Sequence, residues 1–124
     1  MYTAGAPHPN RTAAMEFLER LARDREEICT DAEVLQEIVH RYTKIGRRHE
    51  IAALLVKTLA MVDEVMAVGQ SEVLRAAEIV QAPQALSARD AIHLASMENR
   101  GVRRIFSFDR DFDRWPGIIR MPQD

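Results

Sequence analysis

The sequence predicts a three-layer α/β/α sandwich around a mostly parallel central sheet. Short apolar segments with β-forming residues alternate with longer segments of helical periodicity, and no two strand segments are joined by a tight hairpin turn. The length of 124 residues suits one compact domain, spanning 1–124. We therefore expect a single α/β domain.

Composition narrows the class of protein further. Charged residues make up 29% and hydrophobic residues 47% of the chain, which is typical of a globular protein. With a net charge of −2 the protein has no overall positive potential, so a nucleic-acid partner would have to bind to a local basic patch. The single cysteine, Cys29, excludes an internal disulfide and fits a reducing compartment. No secretory signal is visible, and Lys57, Asp63 and Glu64 interrupt the most apolar segment, so we expect a cytoplasmic protein with no membrane contact.

The first half of the chain predicts one strand and three helices, the last of them over 48–62. Apolar residues recur at helical spacing over 11–27, with charged residues on the opposite side. A short strand over 27–30 follows. The letters "TDAE" then resemble a capping box, with Thr30 at the N-cap and Glu33 at N3, and the helix that they open ends near Gly46.

The second half repeats the alternation of helix and strand. Ser87 and Asp90 form a second capping box, and Gly101 follows that helix in the usual C-cap position. The apolar run "VRRIFSF" is typical of a buried strand. The remaining predicted elements are a helix over 48–62, a strand over 64–68, a helix over 71–80, a helix over 87–99, a strand over 102–108 and an edge strand over 118–121.

Three acids qualify for the edge of the sheet where ligands bind in such folds: Glu37 in the helix after the first predicted strand, Asp90 at the start of the helix over 87–99, and Asp109 directly after the strand over 102–108. Each has a structural alternative. Asp90 at N3 can simply cap its helix, Glu37 can lie on a solvated helix face, and Asp109 can begin a polar turn with Asp111 and Asp113. Carboxylates that converge from separate elements repel one another unless a divalent cation binds them, and such an ion activates water toward phosphodiesters. Together the acids indicate a metal site acting on nucleic acid.

Three segments resemble a known family in order and separation. "TDAEVLQEIVHRY", "LSARDAIHLA" and "RRIFSFDRDFDRWPGI" are similar to the later motifs of PIN-domain ribonucleases, particularly the VapC-type toxins of toxin–antitoxin pairs. The resemblance implies a PIN-like fold and a metal-dependent endoribonuclease that uses Mg²⁺ or Mn²⁺. It also implies that Glu37, Asp90 and Asp109 are the catalytic metal ligands, with Asp113 as a further candidate ligand.

The resemblance suggests supporting roles as well. Asp111 is a weaker candidate ligand than Asp113, and Ser107 occupies a position where the family usually has Thr or Ser, so we expect it to support the site by hydrogen bonding. Arg89 and Arg110 adjoin the inferred ligands and are expected to meet RNA phosphates. His93 is interpreted as a helix-surface or partner-packing residue. Family likeness further implies a homodimer and a cognate antitoxin, for which the amphipathic helices over 11–27 and 48–62 offer surfaces.

The sequence departs from the family at its start. PIN domains normally open with a strand that ends in an aspartate, and "MYTAGAPHPN" instead resembles the loop that follows that strand. We therefore expect the N-terminal strand to be missing, the PIN-like domain to be N-terminally incomplete, and the chain as written to be poorly stable or inactive. Two alternatives stay open: a catalytically inactive remnant that serves as a protein-binding module, and a helical adaptor whose acids are all caps.

Overall fold

The structure, a computed structural model, describes residues 2–3 and 11–121. Five strands form one sheet in the order β3-β2-β1-β4-β5, and every pair of neighbouring strands is parallel. The strands are β1 (Tyr2–Thr3), β2 (Cys29–Asp31), β3 (Glu64–Met66), β4 (Arg104–Phe106) and β5 (Ile119–Met121). The helices are α1 (Arg11–Arg23), α2 (Ala32–Lys44), α3 (Ile51–Met61), α4 (Gln70–Val80) and α5 (Ala88–Arg100).

The core lies on both faces of this sheet, as a three-layer sandwich requires. Successive residues of a strand point to opposite faces, and in β4 the buried Ile105 belongs to a core cluster with residues of α4 and α5. Its neighbour Phe106 belongs to a second cluster with Leu21 of α1, and its ring stacks on Phe17 with centroids 4.8 Å apart. The predicted α/β sandwich is confirmed.

The expectation of a missing first strand is wrong in one respect. Tyr2 and Thr3 form β1, which occupies the central position of the sheet, with Tyr2 opposite both Cys29 and Ile105. An aromatic and a β-branched residue are typical of strands, but two residues are too few to give a periodic signal. The rest of the segment that we interpreted as a loop, residues 4–10, lies outside the described residues. The other part of the expectation concerned the aspartate that ends the first strand in PIN domains, and residues 1–10 contain no acid.

A second correction concerns the start of α2. The N-cap is Asp31, whose side chain accepts the Val34 N–H, and not Thr30. Thr30 is instead a fully buried residue of β2. Aspartate caps helices as well as threonine does, so the spacing from Thr30 to Glu33 predicted the element correctly and its first residue wrongly. The cap of α5 is as predicted, because Ser87 Oγ accepts the Asp90 N–H at 3.1 Å and Gly101 ends the helix at φ 66°.

Two features of the remaining surface bear on function. No residue of α3 is buried, and Val56 and Leu59 on this apolar helix are 68% and 48% exposed. Among the residues that the structure describes, no helix combines the length and apolarity that crossing a bilayer requires.

Candidate metal centre

Three carboxylates converge where α5 begins and where the chain leaves β4. Asp90 lies in the first turn of α5, and Asp109 and Asp111 lie in the turn after β4. Each offers a carboxylate oxygen that lies within 4.8 Å of the other two. This is the edge of a parallel sheet at which α/β proteins bind ligands. The sequence predicted Asp90 and Asp109 at this edge, and ranked Asp111 last among the acids of its segment.

Asp90 is in an environment that disfavours its charge. Burial, and next the negative charge of Asp109, raise the pKa of the Asp90 carboxyl above its usual value, with a smaller contribution from Asp111. A hydrogen bond with Ser87 and the proximity of His93 oppose this and lower the pKa. Because the Ser87 side chain already caps α5, capping alone does not account for a half-buried acid beside two other acids.

The turn after β4 holds Asp109 and Asp111 through local hydrogen bonds. Ser107 is buried, and its Oγ accepts the Asp109 N–H at 3.0 Å. Asp109 Oδ1 in turn accepts the Asp111 N–H at 2.9 Å, so Asp109 caps the short 3₁₀ helix Arg110–Arg114. The hydrogen-bonding role expected for Ser107 therefore takes the form of a contact to the backbone of Asp109. Both acids of the turn are exposed, and the Asp111 carboxylate also forms a 2.9 Å ion pair with Arg114 of the same short helix.

The other predicted site residues have partners outside this group of three. Glu37 on α2 forms an ion pair with Arg89, the residue before Asp90 on α5. Asp113 accepts a 2.9 Å hydrogen bond from Nε of the buried Arg120. Glu37 is thus joined to the residue next to Asp90, and Asp113 is joined to Arg120 of β5. Arg110 is exposed beside Asp109.

Sequence reasoning missed one polar pair beneath the site. Asp31 is fully buried, and its Oδ2 lies 2.8 Å from Nδ1 of His93, which is 2% exposed. The interpretation of His93 as a surface or partner-packing residue is therefore wrong. The sequence did offer one signal for this pair. His93 follows Asp90 by one turn on an apolar helix face, and an imidazole buried there needs a polar partner.

One cavity of the described chain lies away from these acids. It measures about 670 Å³, and Ile28, Val62 and Asp63 are among its lining residues. These residues precede β2 and β3, so the cavity opens at the amino ends of the strands. The acids lie at the carboxyl ends, and they form an open surface site that a polymeric substrate can reach.

The group of three acids is suited to a hard divalent cation. Mg²⁺ takes oxygen ligands at about 2.1 Å in octahedral geometry, so ligands on opposite sides of the ion lie about 4.2 Å apart. Adjacent ligands lie about 3.0 Å apart, and at most one pair among three can lie on opposite sides, so oxygens up to 4.8 Å apart would close by between about 0.6 and 1.8 Å to share one ion. A bound cation would also neutralise the repulsion that raises the pKa of Asp90. The residues present therefore fit such an ion.

Fold and site together define an α/β sandwich protein with a carboxylate centre of the kind that binds divalent metals. The chain belongs to the PIN-domain family, whose model matches residues 1–118. This confirms the resemblance that the three sequence segments indicated.

Relatives of the VapC type match almost the whole chain. Ribonuclease VapC13 of Mycobacterium tuberculosis is 44% identical over 121 residues, which cover 98% of this chain and 92% of the relative. Ribonuclease VapC23 of the same species is 36% identical over 109 residues, covering 88% of this chain and 86% of the relative.

Solved structures with the same fold include toxin–antitoxin proteins. VapBC2 from Rickettsia felis, bound to a DNA fragment from its promoter, matches with a TM-score of 0.76 and 16% identity over 99% of this chain and 98% of the solved one. VapC20 of Mycobacterium tuberculosis, a toxin that cleaves the sarcin–ricin loop, matches with a TM-score of 0.70 and 21% identity, covering 90% and 92% of the two chains. At these identities the likeness establishes the fold alone.

Proposed function

We propose that the chain is a metal-dependent endoribonuclease, the toxin of a type II toxin–antitoxin pair. The observation that carries the proposal is the convergence of Asp90, Asp109 and Asp111 within 4.8 Å of one another in a PIN-domain chain. The VapC names of its relatives support the substrate class and the toxin role.

Asp90, Asp109 and Asp111 would hold a Mg²⁺ or Mn²⁺ ion, with Glu37 as a further ligand drawn from α2. The bound ion would supply an activated water and stabilise the charge that develops on the phosphodiester. The chain's own contribution is positioning: Ser107 fixes the backbone of Asp109, and the Ser87 cap fixes the first turn of α5. Asp113 was a candidate ligand by resemblance, and its contact with Arg120 favours a structural role.

Arg89 and Arg110 would contact the RNA backbone beside the ion. Arg89 precedes Asp90 and Arg110 follows Asp109, so each cation adjoins a proposed ligand. The Glu37–Arg89 ion pair holds the Arg89 guanidinium, half-exposed, at the rim of the site. Guanidinium groups bind phosphate oxygens in a bidentate manner, and substrate phosphate would compete with Glu37 for Arg89.

The proposal includes protein partners and a compartment. The solved structures that share the fold include toxin–antitoxin complexes, which supports an antitoxin as partner. A homodimer would cover exposed apolar surface such as Val56 and Leu59 on α3. The protein would act in the cytoplasm, where the lone thiol of Cys29 stays reduced.

The test is cleavage of a mixed RNA pool by the purified chain, with Mn²⁺ or Mg²⁺ and with chelator. We expect cleavage that requires metal and falls by more than about 100-fold in Asp109→Asn, since even residues that support metal ligands contribute about 10–100-fold. Glu33→Gln, which removes an acid from the first turn of α2 outside the group of three, is the matched control and should cleave normally.

The inactive-remnant alternative predicts a different result. A folded chain that binds neither Mn²⁺ nor Mg²⁺ and leaves RNA intact would refute the enzyme and favour a binding module. The convergence of the three acids argues against that alternative, because like charges held together without a cation destabilise the fold.

A further inference from the structure

The Asp31 carboxylate connects two helices of the proposed metal site. Its Oδ1 accepts the backbone N–H of Val34 at 3.1 Å, which caps α2. Its Oδ2 lies 2.8 Å from Nδ1 of His93 on α5. In this contact we take the carboxylate oxygen as the acceptor and Nδ1–H of His93 as the donor. A single side chain is thus bonded to both helices at the carboxyl end of β2.

Both helices carry acids of the proposed site. α2 begins directly after Asp31 and holds Glu37, and α5 holds Asp90 one turn before His93. Residues three apart on a helix lie on the same face, so the imidazole and the Asp90 carboxylate are neighbours. On the exposed side the same helices are joined by Glu37 and Arg89. The Asp31–His93 contact is therefore a buried link between α2 and α5, and the Glu37–Arg89 ion pair is an exposed one.

Burying this pair is not explained by stability alone. Asp31 is 0% and His93 2% exposed, and a buried pair of this kind is often no more stabilising than apolar residues of the same volume. A serine would cap α2 equally well without reaching α5. What the carboxylate adds is a second hydrogen bond of defined length and direction across the two helices.

We propose that Asp31 and His93 are positioning residues that set α2 against α5 and thereby hold Asp90 within the group of three acids and Glu37 across from Arg89 at its rim. The proposal rests on the proposed function, because it assumes that these acids bind a divalent cation. Neither residue contacts the ion in this scheme. Both act through the helices, as hydrogen-bonded groups behind metal ligands commonly do.

The experiment measures Mn²⁺ affinity by calorimetry for the full chain and three variants. Asp31→Ser keeps the cap of α2 and loses the bond to His93. His93→Leu keeps apolar volume and loses the donor. His93→Asn places an amide N–H near the position of Nδ1 and should retain the bond. We expect Asp31→Ser and His93→Leu to bind Mn²⁺ about 10–100-fold more weakly, and His93→Asn to stay within about threefold of the original chain.

A destabilising control separates positioning from general loss of stability. Ile79→Ala opens a cavity under α4 at a core residue that is 1% exposed and is neither a proposed ligand nor a hydrogen-bond partner of one. It should lower the melting temperature without changing Mn²⁺ affinity. If His93→Leu does not fold, Asp31→Ser and the comparison with His93→Asn still decide the question.

The outcomes distinguish the two proposals. If the original chain binds Mn²⁺ and folded Asp31→Ser binds it equally well, the positioning role is refuted and the proposed function stands. If Ile79→Ala weakens binding as much as His93→Leu does, positioning is again refuted, since any loss of stability would then suffice. If the original chain binds no Mn²⁺, the proposed function fails and this inference fails with it.

Discussion

Replacing Asp90 by asparagine distinguishes a metal ligand from a helix cap by the sign of one stability change. An acid whose only role is in the first turn of α5 stabilises the helix dipole, so its removal should cost about 0.3–1 kcal/mol. An acid held beside two other acids for a cation should destabilise the metal-free fold. Its removal should then increase the free energy of unfolding when chelator is present.

The structure gives the size of the second effect. Unit charges 4.8 Å apart repel by about 0.9 kcal/mol at the dielectric constant of water, and Asp90 has two such neighbours. We use the value for water because Asp109 and Asp111 are exposed. The hydrogen bond with Ser87, the contact with His93 and the ion pair of Asp111 with Arg114 offset part of the repulsion. We expect Asp90→Asn to stabilise the metal-free chain by about 0.5–1.5 kcal/mol, a rise in melting temperature of about 2–6 °C for a domain of this size.

The assay is thermal unfolding in chelator and in Mn²⁺. The melting temperature of the original chain should rise with Mn²⁺ concentration, because the ion binds the native state. That of Asp90→Asn should rise much less. The variant should therefore melt higher in chelator and lower in Mn²⁺ than the original chain. Glu33→Gln is the control, because Glu33 lies in the first turn of α2 and outside the group of three. A melting temperature of Asp90→Asn in chelator below that of the original chain would refute the reasoning and make Asp90 a cap.

Three further predictions concern residues outside the group of three acids. Asp113→Ala removes a partner of the buried Arg120 and should cost about 1–3 kcal/mol in stability while leaving Mn²⁺ affinity unchanged; weaker Mn²⁺ binding would make Asp113 a ligand after all. The Ser71 hydroxyl, and next the Gly69 N–H, lower the pKa of Glu72 from 4.5. The stability that this contributes is present above the unfolded-state pKa and is lost as pH falls through the folded-state pKa, so Glu72→Gln should be less stable at neutral pH and show a shallower acid melting profile. Burial raises the pKa of the Cys29 thiol, so a thiol reagent at neutral pH should label it rapidly only after denaturation, and rapid labelling of the native chain would contradict the placement of β2.

The helices were predictable because their evidence is distributed along the chain. Each amphipathic face repeats over 11 to 13 residues, and the caps at Ser87 and Gly101 fixed both ends of α5 to within a residue. The strands were predicted in the right places and too long: 102–108 reduces to Arg104–Phe106, because only these residues pair with β5. β1 was missed because two residues carry no period. The strand order comes from contacts between distant segments, which local patterns do not record.

The site was predictable at strand ends and helix starts and not where two distant residues meet. Asp109 directly follows β4, and Asp90 lies at the start of the helix that leads into β4, so both fall at the carboxyl edge of the sheet. The Asp31–His93 contact joins residues 62 positions apart, and the capping spacing from Thr30 to Glu33 drew attention one residue away from Asp31. Asp111 ranked below Asp113 because the spacing of the segment does not reveal that the Asp111 carboxylate lies beside Asp109 whereas the Asp113 carboxylate bonds to Arg120.

The composition of the acid group bears on the expectation that the chain is inactive without an N-terminal aspartate. Mg²⁺ commonly binds to proteins through one or two carboxylates and keeps several waters. Three carboxylates are therefore enough to hold an ion, and one of them is Asp111, which the family resemblance ranked last among the candidate ligands. A further acid would raise affinity for the cation and would also raise the repulsion in its absence. It follows that a group of three acids should bind Mn²⁺ more weakly, and destabilise the metal-free fold less, than a group of four would. Melting curves in chelator and in Mn²⁺ report both the stability of the metal-free fold and the affinity for Mn²⁺.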